Sequence, residues 1–274
     1  MDSLDKKREY LTLQQLQSVA LELLLDFDAF CKGYGVSYAL CGGSMLGAAR
    51  HQGFIPWDDD IDVMLLRSEY DKLLSLAPEA SLDGNHALVS VRDKTFARDY
   101  ARYIRKDFGK EEDETTEEDC PWIGVDIFPI DFISDSDELF VRQLRDRRFW
   151  HELVVTCSSP FNAGSTFVKK WVRNIIRPFA FAYGRFRAAE KSEAICKRFD
   201  DSPGRDIAIV CGMYGTKERW SSSGYQPLIE VPFEGHLLPA PHDFDAYLSA
   251  IYGDYMQLPP ENKRKPSHIR AWKL

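Results

Sequence analysis

"CGGSMLGAARHQGFIPWDDDIDVML", residues 41–65, runs from paired glycines and a serine into four aspartates within five positions, then into an apolar run. In an extended strand, side chains two apart share a face. Asp60 and Asp62 are therefore expected side by side, with Ile61 and Val63 turned to the core. Adjacent carboxylates repel, and neither ionises readily without a counter-ion. Hard divalent cations take such oxygen ligands and bridge them to phosphates, so the pattern points to Mg²⁺, with Mn²⁺ as the alternative.

Two blander readings compete with a metal. A solvated acidic junction fits poorly with the apolar residues on either side. An EF-hand would use Asp58, Asp60, Asp62 and Glu69 as positions one, three, five and twelve, but position six is Val63 where the turn needs glycine.

Gly42, Gly43 and Ser44 lie between an expected strand, "VSYAL", and an expected helix, "SMLGAAR". Glycine lets backbone approach a phosphate, and a helix N-terminus offers unpaired N–H groups to an anion. Neither GxxxxGK nor GxGxxG is present, so this is not a P-loop or dinucleotide fingerprint. Followed by the D-x-D pattern about sixteen residues later, the turn is expected to hold phosphate beside a metal. Arg50 and His51 close the second helix; an arginine can fork onto a diphosphate, and a histidine can bond phosphate or stay structural. Trp57 is expected to pack the intervening loop rather than stack on a base.

A third carboxylate is expected on a neighbouring strand, and "WIGVDIFPID" at 122–131 supplies it. Asp126 faces away from Val125 and Ile127, and an aspartate in an apolar strand is costly unless paired or metal-bound. Asp126 is therefore a third ligand or the base for an attacking hydroxyl. Pro129 is expected to end this strand, leaving Asp131 in a turn.

Helical periodicity from Leu13 to Phe27, with Thr12 and Gln15 as a capping box and Gly33 as terminator, predicts a first helix. "DIDVMLL" reads as a strand and "SEYDKLLSLAPEA" as a helix, whereas 85–106 is less decided. The acidic run at 109–120 reads as a solvated loop. Residues 136–200 read as mostly helical, 227–241 as a hairpin, "HDFDAYLSAIYG" as a helix ended by Gly253, and the tail as basic and proline-broken.

The chain has 274 residues, 44% hydrophobic and 13% aromatic, enough for a sizeable core. A net charge of −8 argues against a dedicated nucleic-acid binder. Six cysteines without a CxxC pair suggest buried thiols in a cytoplasmic protein rather than a zinc or disulfide framework. The N-terminus lacks the apolar core of a signal peptide, and no run reaches the roughly 18 apolar residues of a membrane span.

"GGSMLGAARHQGFIPWDDDIDV" followed by "GVDIFPID" resembles the LicD family, whose relatives include fukutin and fukutin-related protein. The order of glycine-serine turn, D-x-D strand and third aspartate strand is similar to the nucleotidyltransferase (DNA polymerase β-like) fold. "FEGHLLPAP" and "YLSAIYGDYMQLPP" are similar to the family's usual ending. Nothing in 136–220 matches.

The resemblance implies an α+β fold, a mixed sheet flanked by helices with a helical middle segment and a C-terminal hairpin-helix portion. It implies division into a catalytic core at 1–135, a helical segment at 136–220 and a C-terminal segment at 221–274. It implies Mg²⁺-dependent transfer of a substituted phosphate, phosphocholine-like or polyol phosphate, from a CDP-linked donor to a glycan or lipid-linked saccharide acceptor, with CMP released. Gly42, Gly43, Ser44, Arg50 and His51 would then bind donor phosphates, and Asp60, Asp62 and Asp126 the metal. The runner-up is a nucleotidyltransferase releasing pyrophosphate; a third reading is a non-catalytic metal-binding module.

"STFVKKWVRNIIRPFAFAYGRFR" (165–187) mixes cations with aromatic and aliphatic residues. Such a segment either lies on an anionic membrane, giving peripheral contact at the inner face, or packs on the core with a basic outer face, broken at Pro178.

Overall fold

The protein, described from a computed structural model over residues 8–112, 120–161, 166–201, 204–264 and 269–274, is an α+β structure: a mixed sheet with helices packed around it. Helix α1 (Leu13–Tyr34) opens on the Thr12–Gln15 capping box, and its Leu16, Leu23, Leu24 and Phe27 are buried. It runs past Gly33 and ends at Gly35, whose φ of +63° suits a residue without a side chain. Strand β1 (Ala39–Leu40) leads into α2 (Gly42–His51), and a loop leads to β2 (Asp62–Leu66) and α3 (Arg67–Ser75). Then come β3 (His86–Val89), the long β4 (Ala101–Glu112) and β5 (Trp122–Phe132).

Helices α4 (Asp137–Ser158), α5 (Phe167–Tyr183) and α6 (Arg185–Cys196) follow, then β6 (Asp206–Ala208) and β7 (Trp220–Ser221). The hairpin of β8 (Ile229–Phe233) and β9 (His236–Ala240) turns through Glu234 and Gly235, both at positive φ, a tight turn whose twist suits paired strands. Helix α7 (Phe244–Tyr252) and strand β10 (Ile269–Lys273) complete the chain.

The sheet order is β1-β2-β5-β4-β10, with β3 also on β4 and with β6 and β7 extending from β5. Strands β2 and β5 are parallel, and the other pairings are antiparallel. One side of β5 buries Ile123, Val125 and Ile127, which join Leu23, Phe27, Val63 and Leu65 in the main core. The other side carries Gly124, Asp126 and Phe128 toward a cavity. A second cluster, with Leu153, Val154, Ala180, Ala188 and Ala189, holds α4, α5 and α6 together.

Several expectations are corrected. Strand β5 does not end at Pro129. The N–H of Asp126 points to β2, where it donates to Ile61 O at 2.9 Å. Alternation then turns the missing N–H of Pro129 to the other edge, between the end of β4 opposite Ile127 and the start of β6 opposite Asp131, so no ladder bond is lost there. Asp131 is accordingly no turn residue. It is fully buried, and Arg67 donates to it through Nε at 2.6 Å and Nη2 at 2.8 Å.

The acidic run is not all loop: residues 109–112 belong to β4 and pair with β10, while 113–119 lie outside the described residues. The basic tail ends in strand β10, although 265–268 also lie outside the described residues. Helix α5 continues through Pro178, and much of its apolar surface is exposed rather than packed on the core.

Candidate active site

The glycine pair begins α2 because two carboxylates stand against it. A Cβ on Gly42 would lie 2.9 Å from Asp62 Oδ2, and one on Gly43 would lie 2.6 Å from Asp58 Oδ2. Gly42 also takes a φ of +51°. The turn is fixed by Tyr247, whose hydroxyl accepts from Gly42 N at 3.1 Å, and by Cys41 N donating to Asp62 O at 3.1 Å.

The aspartate loop is tied down from three sides. Gln17 Nε2 of α1 donates to Asp58 O at 2.9 Å, and Glu234 of the hairpin accepts from Phe54 N at 3.0 Å. Asp59 is buried and accepts from Ile269 N of β10 at 2.7 Å. Trp57 packs against the core, with the Arg264 guanidinium 5.5 Å from its ring centre.

Strand β2 starts at Asp62, so Asp60 sits just ahead of it and not within it. Asp62 and Asp126 are direct register partners across the parallel β2–β5 pair, which puts both on one face. Oxygen atoms of Asp58, Asp59 and Asp60 lie within 4.8 Å of one another. Burial pushes the Asp58 carboxyl up to about 8, with the charges of Asp60 and Asp59 adding to it. Burial likewise raises Asp62 well above the usual carboxylate range, reinforced by Asp60, Asp126 and Asp58 and opposed by Arg102. A crowd of oxygen ligands short of positive charge fits a hard divalent cation. Asp126 is gripped by Arg102, through Nε and, at 3.2 Å, through Nη2.

Ser44 is buried, and its Oγ accepts from Asp62 N at 2.9 Å. It thus clamps the aspartate strand to α2. Arg50 and His51 sit at the far end of α2, about 12 Å along the axis from Gly42 at 1.5 Å per residue. Arg50 donates to Tyr255 O and to His51 Nε2, both at 3.0 Å. Burial, with Arg50 beside it, lowers the His51 pKa and keeps the ring neutral and able to accept. The glycines and aspartates therefore converge, whereas Arg50 and His51 stand apart from them.

A cavity of about 920 Å³ opens over this floor, lined by Gly42, Gly43, Asp59, Asp60, Asp62 and Asp126. Its other walls carry Arg98, Arg102 and Lys110 from β4 and its approach, and Arg145, Arg147 and Arg148 from α4. Tyr100, Phe128, Tyr214 and Tyr252 add aromatic surface. Arg147 is locked by Asp99, its Nε 2.6 Å and its Nη2 2.9 Å from the two carboxylate oxygens, and Ser192 Oγ donates to Asp99 at 2.6 Å. Sequence reasoning missed these cations. One signal was available: arginine in a strand that must be half-buried needs a partner for the same reason as Asp126.

The chain matches the LicD/FKTN/FKRP nucleotidyltransferase-domain family over residues 35–162. It is 30% identical over 266 residues, 95% of this chain and 97% of the relative, to the lipopolysaccharide cholinephosphotransferase LicD of Haemophilus influenzae. Over 72 residues, 26% of this chain and 24% of the relative, it is 33% identical to an uncharacterized protein of Rickettsia prowazekii.

Proposed function

Because the chain belongs to the LicD family and is a LicD-type phosphotransferase, we propose that it moves phosphocholine from a CDP-linked donor to a sugar hydroxyl of a cell-surface glycan or its lipid-linked precursor, releasing CMP. The observation that carries this reading is the meeting of two opposite fields in one cavity: a carboxylate floor beside a glycine turn, faced by six cations. A metal–diphosphate needs both, ligands for the cation and counter-charges for the phosphates. Phosphocholine is favoured over a polyol phosphate because the relative that spans nearly the whole chain is a cholinephosphotransferase, and because aromatic faces in the cavity suit a quaternary ammonium.

Asp60, Asp62 and Asp126 would hold Mg²⁺, with Asp58 close enough to join them, and Mn²⁺ would serve in its place. When bound, the ion supplies neutralisation of charge on the diphosphate oxygens. Gly42 and Gly43 keep the α2 N-terminus bare enough for a phosphate to approach backbone N–H groups. Ser44 serves the site by positioning Asp62. In the transfer step the acceptor oxygen attacks the distal phosphorus, the bond to the CMP oxygen breaks with its electron pair, and Asp126 takes the hydroxyl proton. Arg102, paired with Asp126, sets the direction of that carboxylate. Arg145 and Arg148 on α4 bind the leaving nucleotide phosphate, beside Arg147, which Asp99 holds. Arg50 and His51 act on the donor only through the hold of α2.

The division into a catalytic core at 1–135, a helical segment at 136–220 and a C-terminal segment at 221–274 belongs to the same proposal. So do action in the cytoplasm and peripheral contact with the inner face of the membrane. Among the described residues no helix is long and apolar enough to cross a membrane.

The test is product analysis. Incubated with Mg²⁺, CDP-choline and lipopolysaccharide, the protein is expected to release CMP in step with choline incorporation. Release of pyrophosphate from CTP and phosphocholine, with no CMP from CDP-choline, would instead establish a nucleotidyltransferase.

A further inference from the structure

We propose that α5 lies in the plane of an anionic phospholipid surface, with its apolar stripe among the acyl chains and the exposed cations of the segment, Lys170 and Arg187, at the headgroups. This deepens the phosphotransferase reading, on which it rests only for the purpose of the surface: bringing a lipid-borne acceptor to the cavity.

At about 100° per residue, Phe167, Val168, Trp171, Val172, Ile175 and Phe179 fall within an arc of about 140° on α5. All six are between 50% and 78% exposed. The helix is not loose, because a different face of it, carrying Ile176, Ala180 and Tyr183, packs against Leu153, Val154, Ala188 and Ala189. The apolar arc is thus a second face that none of the described residues covers. Single exposed apolar residues are ordinary on a protein surface; six contiguous ones along a helix about 25 Å long are not.

Charge selects the occupant. Residues 165–187 hold two lysines and four arginines and no acidic residue, in a chain whose net charge is −8. A second copy docked through the apolar arc would bring two such basic segments side by side. An anionic bilayer offers the opposite charge and an apolar interior at once, and Trp171 within the arc is a residue type suited to the boundary. The stripe occupies one side of the helix, so α5 lies along the surface and does not insert end-on.

The surface is joined to the site. Arg173 Nη2 of α5 lies 3.4 Å from Glu152 Oε2, and Glu152 lines the cavity. Arg177 Nη2 donates to Ser159 O at 2.6 Å and ties α5 to the C-terminal end of α4. Seating α5 on lipid therefore brings the α4 wall of the cavity close to the headgroups.

The experiment is flotation of the full chain with vesicles of phosphatidylglycerol and phosphatidylcholine, and with vesicles of phosphatidylcholine alone. It is repeated with a variant carrying Trp171→Ser, Ile175→Ser and Phe179→Ser, whose fold is checked by circular dichroism. The wild type is expected to float with the anionic vesicles only, less so at high salt. The variant should lose at least tenfold in partition while still releasing CMP with a soluble saccharide acceptor. A wild type that floats with neither vesicle, a folded variant that floats as well as the wild type, or a wild-type dimer that the variant lacks in the absence of any flotation would overturn the assignment. Flotation as expected with no CMP release from either protein would leave the surface standing and count against the phosphotransferase reading.

Discussion

Asp62 on β2 and Asp126 on β5 are direct partners in a parallel pair, yet their surroundings differ: Asp62 stands against the bare Gly42 turn, and Asp126 is gripped by the buried guanidinium of Arg102. Equivalent positions on the sheet therefore call for opposite consequences when each is neutralised. Asp62→Asn removes a repelling carboxylate and is expected to stabilise the metal-free protein by about 1 kcal/mol. Asp126→Asn takes the carboxylate charge away from the buried Arg102 and is expected to cost about 3 kcal/mol. Both should lower phosphotransfer at least about a hundredfold. Thermal melts in EDTA beside turnover in Mg²⁺ check the pair; parallel shifts in melting temperature would refute the distinction.

The glycine turn gives a second expectation. Gly43→Ala puts a methyl 2.6 Å from Asp58 Oδ2, so that carboxylate must leave its place in the cluster with Asp59 and Asp60. Metal affinity should fall about tenfold or more, with little loss of stability. Gly42→Ala adds a positive φ to its clash with Asp62 and should cost about 1 kcal/mol or more of stability as well. Calorimetric metal titration and denaturant melts of the two variants separate these effects.

His151 supplies a pH dependence. Burial, with Arg147 beside it, pulls its pKa down to about 4, and Arg147 Nη2 donates to His151 Nδ1 at 3.2 Å, which requires an unprotonated ring. The folded pKa lies below the unfolded one, so the contribution is complete above about 6.5 and is lost as pH falls toward about 4. The loss amounts to roughly 3 kcal/mol at most. Melting temperature should decline across that window in the wild type and decline less in His151→Gln; equal slopes would show that the histidine is protonated in the fold.

The buried Arg67–Asp131 pair tests the extended β5. Arg67→Met leaves Asp131 without its fork of donors and should cost about 3 to 5 kcal/mol, measured by urea unfolding. The double change with Asp131→Leu should recover much of that loss, because a well-packed apolar pair replaces two buried charges.

What was legible in the sequence was what short-range physics dictates. The glycine turn, the aspartates after it and Asp126 in an apolar strand each break a local rule in a way that needs a ligand or a partner. Helix α1, the β8–β9 hairpin and α7 carry their caps and turn residues beside them. What stayed hidden depends on distant partners. The pairing of β10 with β4 joins residues far apart in sequence, and neither partner shows it alone. Pro129 reads as a strand end until the gap between β4 and β6 is known. Arg102 and Arg147 show no local sign of their roles until Asp126 and Asp99 are found beside them, and the stripe of α5 stays open between core and membrane because apolar periodicity is the same whether it faces protein or lipid.

The proposed activity requires that the aspartates of β2, of its preceding loop and of β5 bind a divalent ion together. Electron paramagnetic resonance of Mn²⁺ titrated into the wild type, Asp60→Ala and Asp62→Asn measures this directly. The account predicts one bound ion per wild-type chain, displaced by Mg²⁺ and tightened by CDP-choline, with affinity reduced at least tenfold in both variants. Variants that bind Mn²⁺ as the wild type does, or a wild type whose bound ion is indifferent to CDP-choline, would contradict it.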